Sequence, residues 1–282
     1  MTAIWGVTFV QVKDAVAIYP VFAFLAVRFV IATLTLSVPA ARRLDGLGRR
    51  GWISGVALGG LLGSGYALQT AGLERTTVSS TGFITGMYVV LTPLLGLALF
   101  RTPVARVTWL GVGLATAGLA LLSGVHTGGS VLGDLLVLGG AAVFALQIVA
   151  MERFAPRHDA IALTFVEMAA GAVGLTAVAI ALGELTVPRG WTVWGALLVT
   201  GVFASALAYL FQTWAQRRLD ATRTALAFAL EPVFAGIFGF ALAGDRLGAA
   251  GWAGCAVILA GIVIAEPAAA QVLSRLVRPR PA

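Results

Sequence analysis

Residues 66–70 read Tyr66-Ala67-Leu68-Gln69-Thr70, and residues 209–213 read Tyr209-Leu210-Phe211-Gln212-Thr213. Tyrosine, glutamine and threonine recur in the same order at an offset of 143. The same offset carries Trp109, Gly111 and Gly118 onto Trp252, Gly254 and Gly261. Six identities in two separate segments at one offset mark an internal duplication. Pro93 and Pro232 recur at 139 instead, one helical turn out of that register.

The surroundings of these segments set the solvent. Of 282 residues, 59% are hydrophobic and 11% charged, with a mean hydropathy of +0.96. Soluble domains carry about 25% charge, so a soluble enzyme is excluded. Ten apolar runs cover about 2–18, 21–40, 51–72, 80–100, 106–124, 131–151, 160–182, 192–216, 223–243 and 248–267. Lipid satisfies no backbone hydrogen bonds, so runs this long must be helical. The 35 glycines suit close helix packing in lipid. Each half then holds five spans. Five is odd, so the second half enters the membrane upside down, related to the first by a pseudo-two-fold axis in the membrane plane. The predicted fold is an all-α integral membrane protein of ten transmembrane helices in two inverted five-helix repeats. Its divisions are 1–124, 131–267 and a basic cytoplasmic tail, 268–282.

The net charge of +7 would suggest nucleic acid in a soluble chain. Here the positive residues sit in loops, and no nucleic-acid partner is expected. With the N-terminus cytoplasmic, that side receives Arg42, Arg43, Arg49, Arg50, Arg101, Arg106, Arg153, Arg157, Arg217, Arg218, Arg223, Arg275, Arg278 and Arg280. The other receives Lys13, Arg75, Arg189 and Arg246. The positive-inside rule then puts both termini in the cytoplasm of a cell whose plasma or inner membrane the chain spans. The first run is short. Only residues 1–12 are uncharged, about 18 Å of helix against a core of about 30 Å. No basic n-region or small-residue cleavage site marks it as a signal peptide. The expectation is that translation starts upstream of Met1 or that this helix is truncated.

Ionisable residues inside spans cost roughly 2.5–3.5 kcal/mol, so each needs a partner or a purpose. Arg28, Glu167 and Glu231 are the three. Arg28 and Glu167 lie 139 apart in sequence and roughly 10 Å apart along the membrane normal, so a direct salt bridge is open but not forced. They read either as a structural tie between the halves or as a substrate site. In the second reading Arg28 meets a carboxylate, and Glu167 faces an amine or carries a proton. Glu231 precedes Pro232, which removes an N–H and loosens the helix. It reads as a proton-coupling group or as a carboxyl bonded to a neighbouring helix. Tyr66 and Gln69, like Tyr209 and Gln212, share a helix face at i, i+3. An amide in lipid would lack partners, so that face should point inward, as interhelical glue or as a cavity wall joined by Tyr88 and Gln147. Trp214 and Gln11 are further candidates, whereas Trp52, Trp191 and Trp194 read as interfacial anchors.

The chain resembles the drug/metabolite transporter superfamily, EamA type. The resemblance rests on Trp5-Gly6 with Phe9 and Lys13, Arg28-Phe29, Leu91-Thr92-Pro93-Leu94-Leu95, Glu231-Pro232-Val233-Phe234, and the paired endings from Trp109 and Trp252. It implies ten helices, two five-helix repeats and movement of small metabolites, often outward. Where that family has a Glu-Arg pair after the fourth and ninth spans, this chain reads Arg101-Thr102 and Asp245-Arg246.

Other classes lack their chemistry. The only lysine is Lys13, and no phosphate-cradling Gly-x-x-x-x-Gly-Lys occurs, so an ATP-driven pump is not expected. An intramembrane hydrolase would need a histidine in the bundle, but His126 and His158 fall in loops on opposite faces, and Ser64 has no such partner. The single Cys255 gives no disulfide or metal cluster. No cofactor is expected, and no enzyme. The reading is a secondary transporter of small metabolites, an exporter of amino acids or related compounds by alternating access with proton antiport. The alternatives are a channel-like facilitator and, further off, an intramembrane enzyme.

Overall fold

A computed structural model describes residues 1–76, 78–123, 130–234 and 248–265. Among them every regular element is helical: α1 (Thr2–Val16), α2 (Val21–Ala41), α3 (Gly48–Arg75), α4 (Val78–Gly86), α5 (Tyr88–Phe100), α6 (Arg106–Ser123), α7 (Val131–Phe154), α8 (Ala160–Ala181), α9 (Trp191–Leu198), α10 (Ala208–Gln216), α11 (Ala221–Phe228) and α12 (Ala249–Ala265). Between α9 and α10 the helix continues without a break but widens to i→i+5 bonding over Val199–Leu207. The end of the expected ninth span, the Asp245-Arg246 pair, the tail 268–282 and His126 lie outside the described residues.

Among the described residues, five helical stretches are long and apolar enough to cross a membrane: Val21–Ala41, Ser80–Phe100, Val131–Arg157, Ala160–Ala181 and Trp191–Gln216. Shorter apolar helices run over Arg106–Leu121 and Ala249–Ala265. Large apolar side chains such as Ile53, Leu94, Leu110, Leu135, Val173, Ile180 and Phe211 are exposed around the outside, as a lipid solvent allows. Polar caps set the loops. Asp159 accepts from the backbone N–H of Ile161 and Ala162 at 3.0 Å to start α8, and Asp220 accepts from Arg223 N–H at 2.8 Å to start α11.

The loops sort to two ends. At one end, Lys13 Nζ donates to Thr76 O at 2.6 Å, Thr76 Oγ1 to Asp134 at 2.7 Å, Tyr19 OH to Thr186 O, and Phe22 N–H to Glu184 at 3.2 Å. At the other, Arg43 pairs with Asp159 at 3.0 Å, Ala221 N–H meets Glu152 at 3.2 Å, and Gly51 lies beside His158. The arginine-rich loops that precede α3 and α8 therefore share an end.

Glycine sets how closely helices approach. A Cβ on Gly111 would fall 2.5 Å from Gly261 O, and one on Gly118 would fall 2.7 Å from Gly254 O. These contacts run α6 and α12 antiparallel, backbone against backbone. Gly254 and Gly261 are the offset mates of Gly111 and Gly118, so each glycine meets the mate of the other. Gly59 of α3 sits as tightly against Glu167 O of α8.

Two helices break near mid-length. α4 gives way to α5 at Met87, six residues before Pro93. α11 ends at Phe228, and helix resumes over 230–234 around Pro232. The proline ring displaces the carbonyl four residues back, which for Pro232 is Phe228.

Candidate functional site

Both breaks face one cavity of about 60 Å³ in the middle of the bundle, lined among others by Trp5, Arg28, Tyr66, Gln69, Thr85, Tyr88, Phe144, Gln147, Tyr209, Gln212, Phe228 and Glu231. Eight of the nine residues singled out in the sequence for substrate or proton thus converge here. The ninth, Glu167, stands directly behind the wall and accepts from Gln147 Nε2 at 2.8 Å.

The duplicated tyrosines meet. Tyr209 OH donates to Tyr66 OH at 3.1 Å, and the rings sit edge-to-face with centroids 6.2 Å apart. Each has an aromatic neighbour from the first helix of the opposite half: Phe144 at 5.2 Å from Tyr66 and Trp5 at 5.6 Å from Tyr209. The duplicated glutamines are buried but differently bound. Gln69 Nε2 donates to Thr85 Oγ1 at 2.9 Å. Gln212 Nε2 donates to both Gln147 Oε1 and Gln216 Oε1 at 2.9 Å, and Gln216 passes the chain on to Ile148 O. Two buried acceptors in this network, Glu167 Oε2 and Gln212 Oε1, have no partner.

Arg28 and Glu167 form no salt bridge. Arg28 Nε donates instead to Ser205 Oγ at 2.8 Å, and its guanidinium lies over the Tyr66 ring at 4.2 Å. Glu167 turns to the amide chain of Gln147 and Gln212. Arg28 and Glu167 have each found their own polar neighbours. Glu231 is hydrogen-bonded by the Tyr88 hydroxyl, so the carboxyl before Pro232 is tied to the residue that opens α5.

Two expectations are corrected. Trp214 is 55% exposed and lies on the outside, with Arg218 over its ring at 5.5 Å. It sits two residues from Gln212, and i, i+2 positions do not share a helix face. Gln11 does not line the cavity; α1 contributes Trp5, Thr8, Phe9 and Val12. Trp52, Trp191 and Trp194 are exposed, in keeping with anchors. Sequence reasoning missed Ser205, Thr85, Phe144 and Phe228 as site residues, and treated Trp5 only as a motif. A hydroxyl buried in the apolar run around Ser205 was the one available signal.

The profile of the EamA-like transporter family matches residues 1–124 and 131–265. The chain belongs to that family. An uncharacterized transporter of Archaeoglobus fulgidus is 32% identical over 261 residues, covering 93% of this chain and 82% of that one. The uncharacterized inner membrane transporter YedA of Escherichia coli is 26% identical over 265 residues, covering 93% and 86%. A solved crystal structure superposes with a TM-score of 0.79 over 96% of both chains at 22% identity, a likeness of fold alone. This EamA-like protein is therefore a multi-pass membrane transporter, and the cavity brings buried polar and aromatic side chains together inside it.

Proposed function

We propose that the chain is a secondary carrier that exports amino acids or closely related small metabolites, with protons moving the opposite way. Its halves, 1–124 and 131–267, act as inverted five-span repeats that rock about the cavity, with both termini in the cytoplasm. The inverted arrangement is supported by the exchange pattern at Gly111, Gly118, Gly254 and Gly261, by the meeting of Tyr66 with its mate Tyr209, and by the family match falling once on each half. A pair related by a two-fold axis puts residue i against the mate of j and j against the mate of i.

The observation that carries the substrate reading is a cavity holding one fixed cation, Arg28, and an acid, Glu231, with Glu167 behind the wall, among aromatic rings. Arg28 takes the cargo carboxylate. The unpartnered oxygens of Glu167 and Gln212 ask for donors, as an ammonium group supplies. Trp5, Phe144 and Phe228 enclose the apolar remainder. Broken helices with freed carbonyls are the common setting for such sites in transporters. Glu231 binds a proton when cargo leaves and releases it when cargo returns, so the two compete for one site.

Metabolite profiling of medium and cytosol with and without overexpression identifies the cargo. In proteoliposomes, Glu231→Gln then abolishes flux of that cargo driven by a pH gradient while counterflow of cargo against cargo survives. Unchanged gradient-driven flux in the variant would remove Glu231 from the mechanism. Saturable flux stimulated by cargo on the far side separates a carrier from a facilitator.

A further inference from the structure

Helix α2 places Arg28 across from a stretch whose helical ladder is π rather than α. Over Val199–Leu207 the bonding widens to i→i+5, a geometry that is rare and concentrated at functional sites. Two atoms of this stretch hold cavity-lining side chains. Ser205 Oγ accepts from Arg28 Nε at 2.8 Å, and Ala204 O accepts from Trp5 Nε1 at 2.7 Å. The approach is close because Gly201 presses against α2: a Cβ there would lie 2.7 Å from Ile31 Cγ2 and 3.1 Å from Arg28 O. Threonines in α-helices spend their hydroxyl protons on the carbonyl four residues back, as Thr33 does on Phe29 and Thr213 on Tyr209. Ser205, fully buried, offers its oxygen to Arg28 as an acceptor.

We propose that Ser205, carried on this widened turn, is a positioning residue that makes Arg28 a receptor for planar oxyanions. Nε is held by Ser205 and one guanidinium face is stacked on Tyr66. That leaves the Nη1–Nη2 edge to take both oxygens of a carboxylate. Such a fork discriminates by shape as well as charge, because a carboxylate matches its two parallel N–H bonds and a spherical anion does not. Without the Ser205 anchor the guanidinium turns about its stem, and the site keeps its charge but loses its preference for shape. The proposal rests on the reading that Arg28 meets the anionic group of the cargo, and it adds how that group is recognised.

Formate is the probe, as the smallest planar carboxylate, and chloride at equal ionic strength is the spherical control. Binding to the purified full chain in detergent is read two ways: by the rise in melting temperature with anion concentration, and by protection of Arg28 from phenylglyoxal, located by peptide mass. The wild type should prefer formate, and Arg28→Lys should lose that preference. Ser205→Ala should bind formate roughly tenfold more weakly, as expected for a lost hydrogen bond to a charged group, while its response to chloride stays put. Ser205→Thr, which keeps the hydroxyl, should restore the preference. If Ser205→Ala does not fold, Ser205→Cys carries the same expectation, because sulfur is a weak acceptor of similar size. Wild-type formate affinity in Ser205→Ala or Ser205→Cys, with the preference lost in Arg28→Lys, would overturn the positioning role and leave the Arg28 reading standing. Equal responses to formate and chloride in the wild type would overturn both.

Discussion

At the seam of α6 and α12, Gly111 faces Gly261 and Gly118 faces Gly254 so closely that neither backbone leaves room for a methyl group. At the central seam Tyr66 meets Tyr209 beside the amide chain of Gln147 and Gln212, with a small cavity at their side and two buried acceptors unbonded. The first seam is backbone on backbone and has one arrangement. The second is side chain on side chain, with more acceptors than donors, so its hydrogen bonds have several ways to pair. The difference assigns the stiffness of this transporter to its periphery and its adaptability to its middle.

The comparison breaks first at the glycines. Gly118→Val puts side-chain carbons where Gly254 O and Ile258 N already stand. Overpacking costs about 1–3 kcal/mol and more where backbone is the obstacle. We expect most of the protein to be lost as a monodisperse peak in size-exclusion chromatography; a wild-type yield would show that this seam gives. At the central seam, Tyr66→Phe and Tyr209→Phe each remove one hydroxyl from a shared bond. Both should fold, and their double-mutant cycle in melting free energy should show a coupling of about 0.5–1.5 kcal/mol. Strict additivity would mean that the two halves are not joined there.

The smallest effect lies outside both seams. Burial, and then the Arg157 charge, hold the His158 imidazole below its ordinary value of 6.5. A histidine whose folded value is depressed contributes nothing above the unfolded value, and stability falls as pH drops from about 6.5 through the folded value. His158→Gln should flatten the decline in melting temperature between about pH 7 and about pH 5, leaving transport at neutral pH unchanged. A steeper decline in the variant would reverse the sign assigned to this group.

The extent of the long apolar helices was legible from the chain; direction around each helix was not. The ends of Val21–Ala41, Ala160–Ala181 and Trp191–Gln216 fall within a few residues of the apolar runs, because loop arginines and prolines punctuate them. The convergence of Tyr66, Gln69, Tyr209 and Gln212 was legible because amides in lipid need partners. The partnership of Arg28 was hidden. Residue counting gives height at about 1.5 Å per residue, but α2 is apolar on all its faces, so no stripe tells which neighbour Arg28 turns toward. Ser205 was hidden for a second reason: nothing in Val199–Leu207 announces that its ladder widens. Trp214 could have been set aside by angle alone, since it lies two residues from Gln212.

The size of the central chamber has a consequence for the cell's energy supply. At about 60 Å³ it is well below the 300 Å³ or more of ordinary ligand pockets and holds only a handful of waters. A carrier that trades cargo for protons must change sides without letting other ions follow. In the proposed exchange, a chamber too small for a continuous column of water beside the paired tyrosines lets cargo and proton trade places without draining the voltage and ion balance of the bilayer.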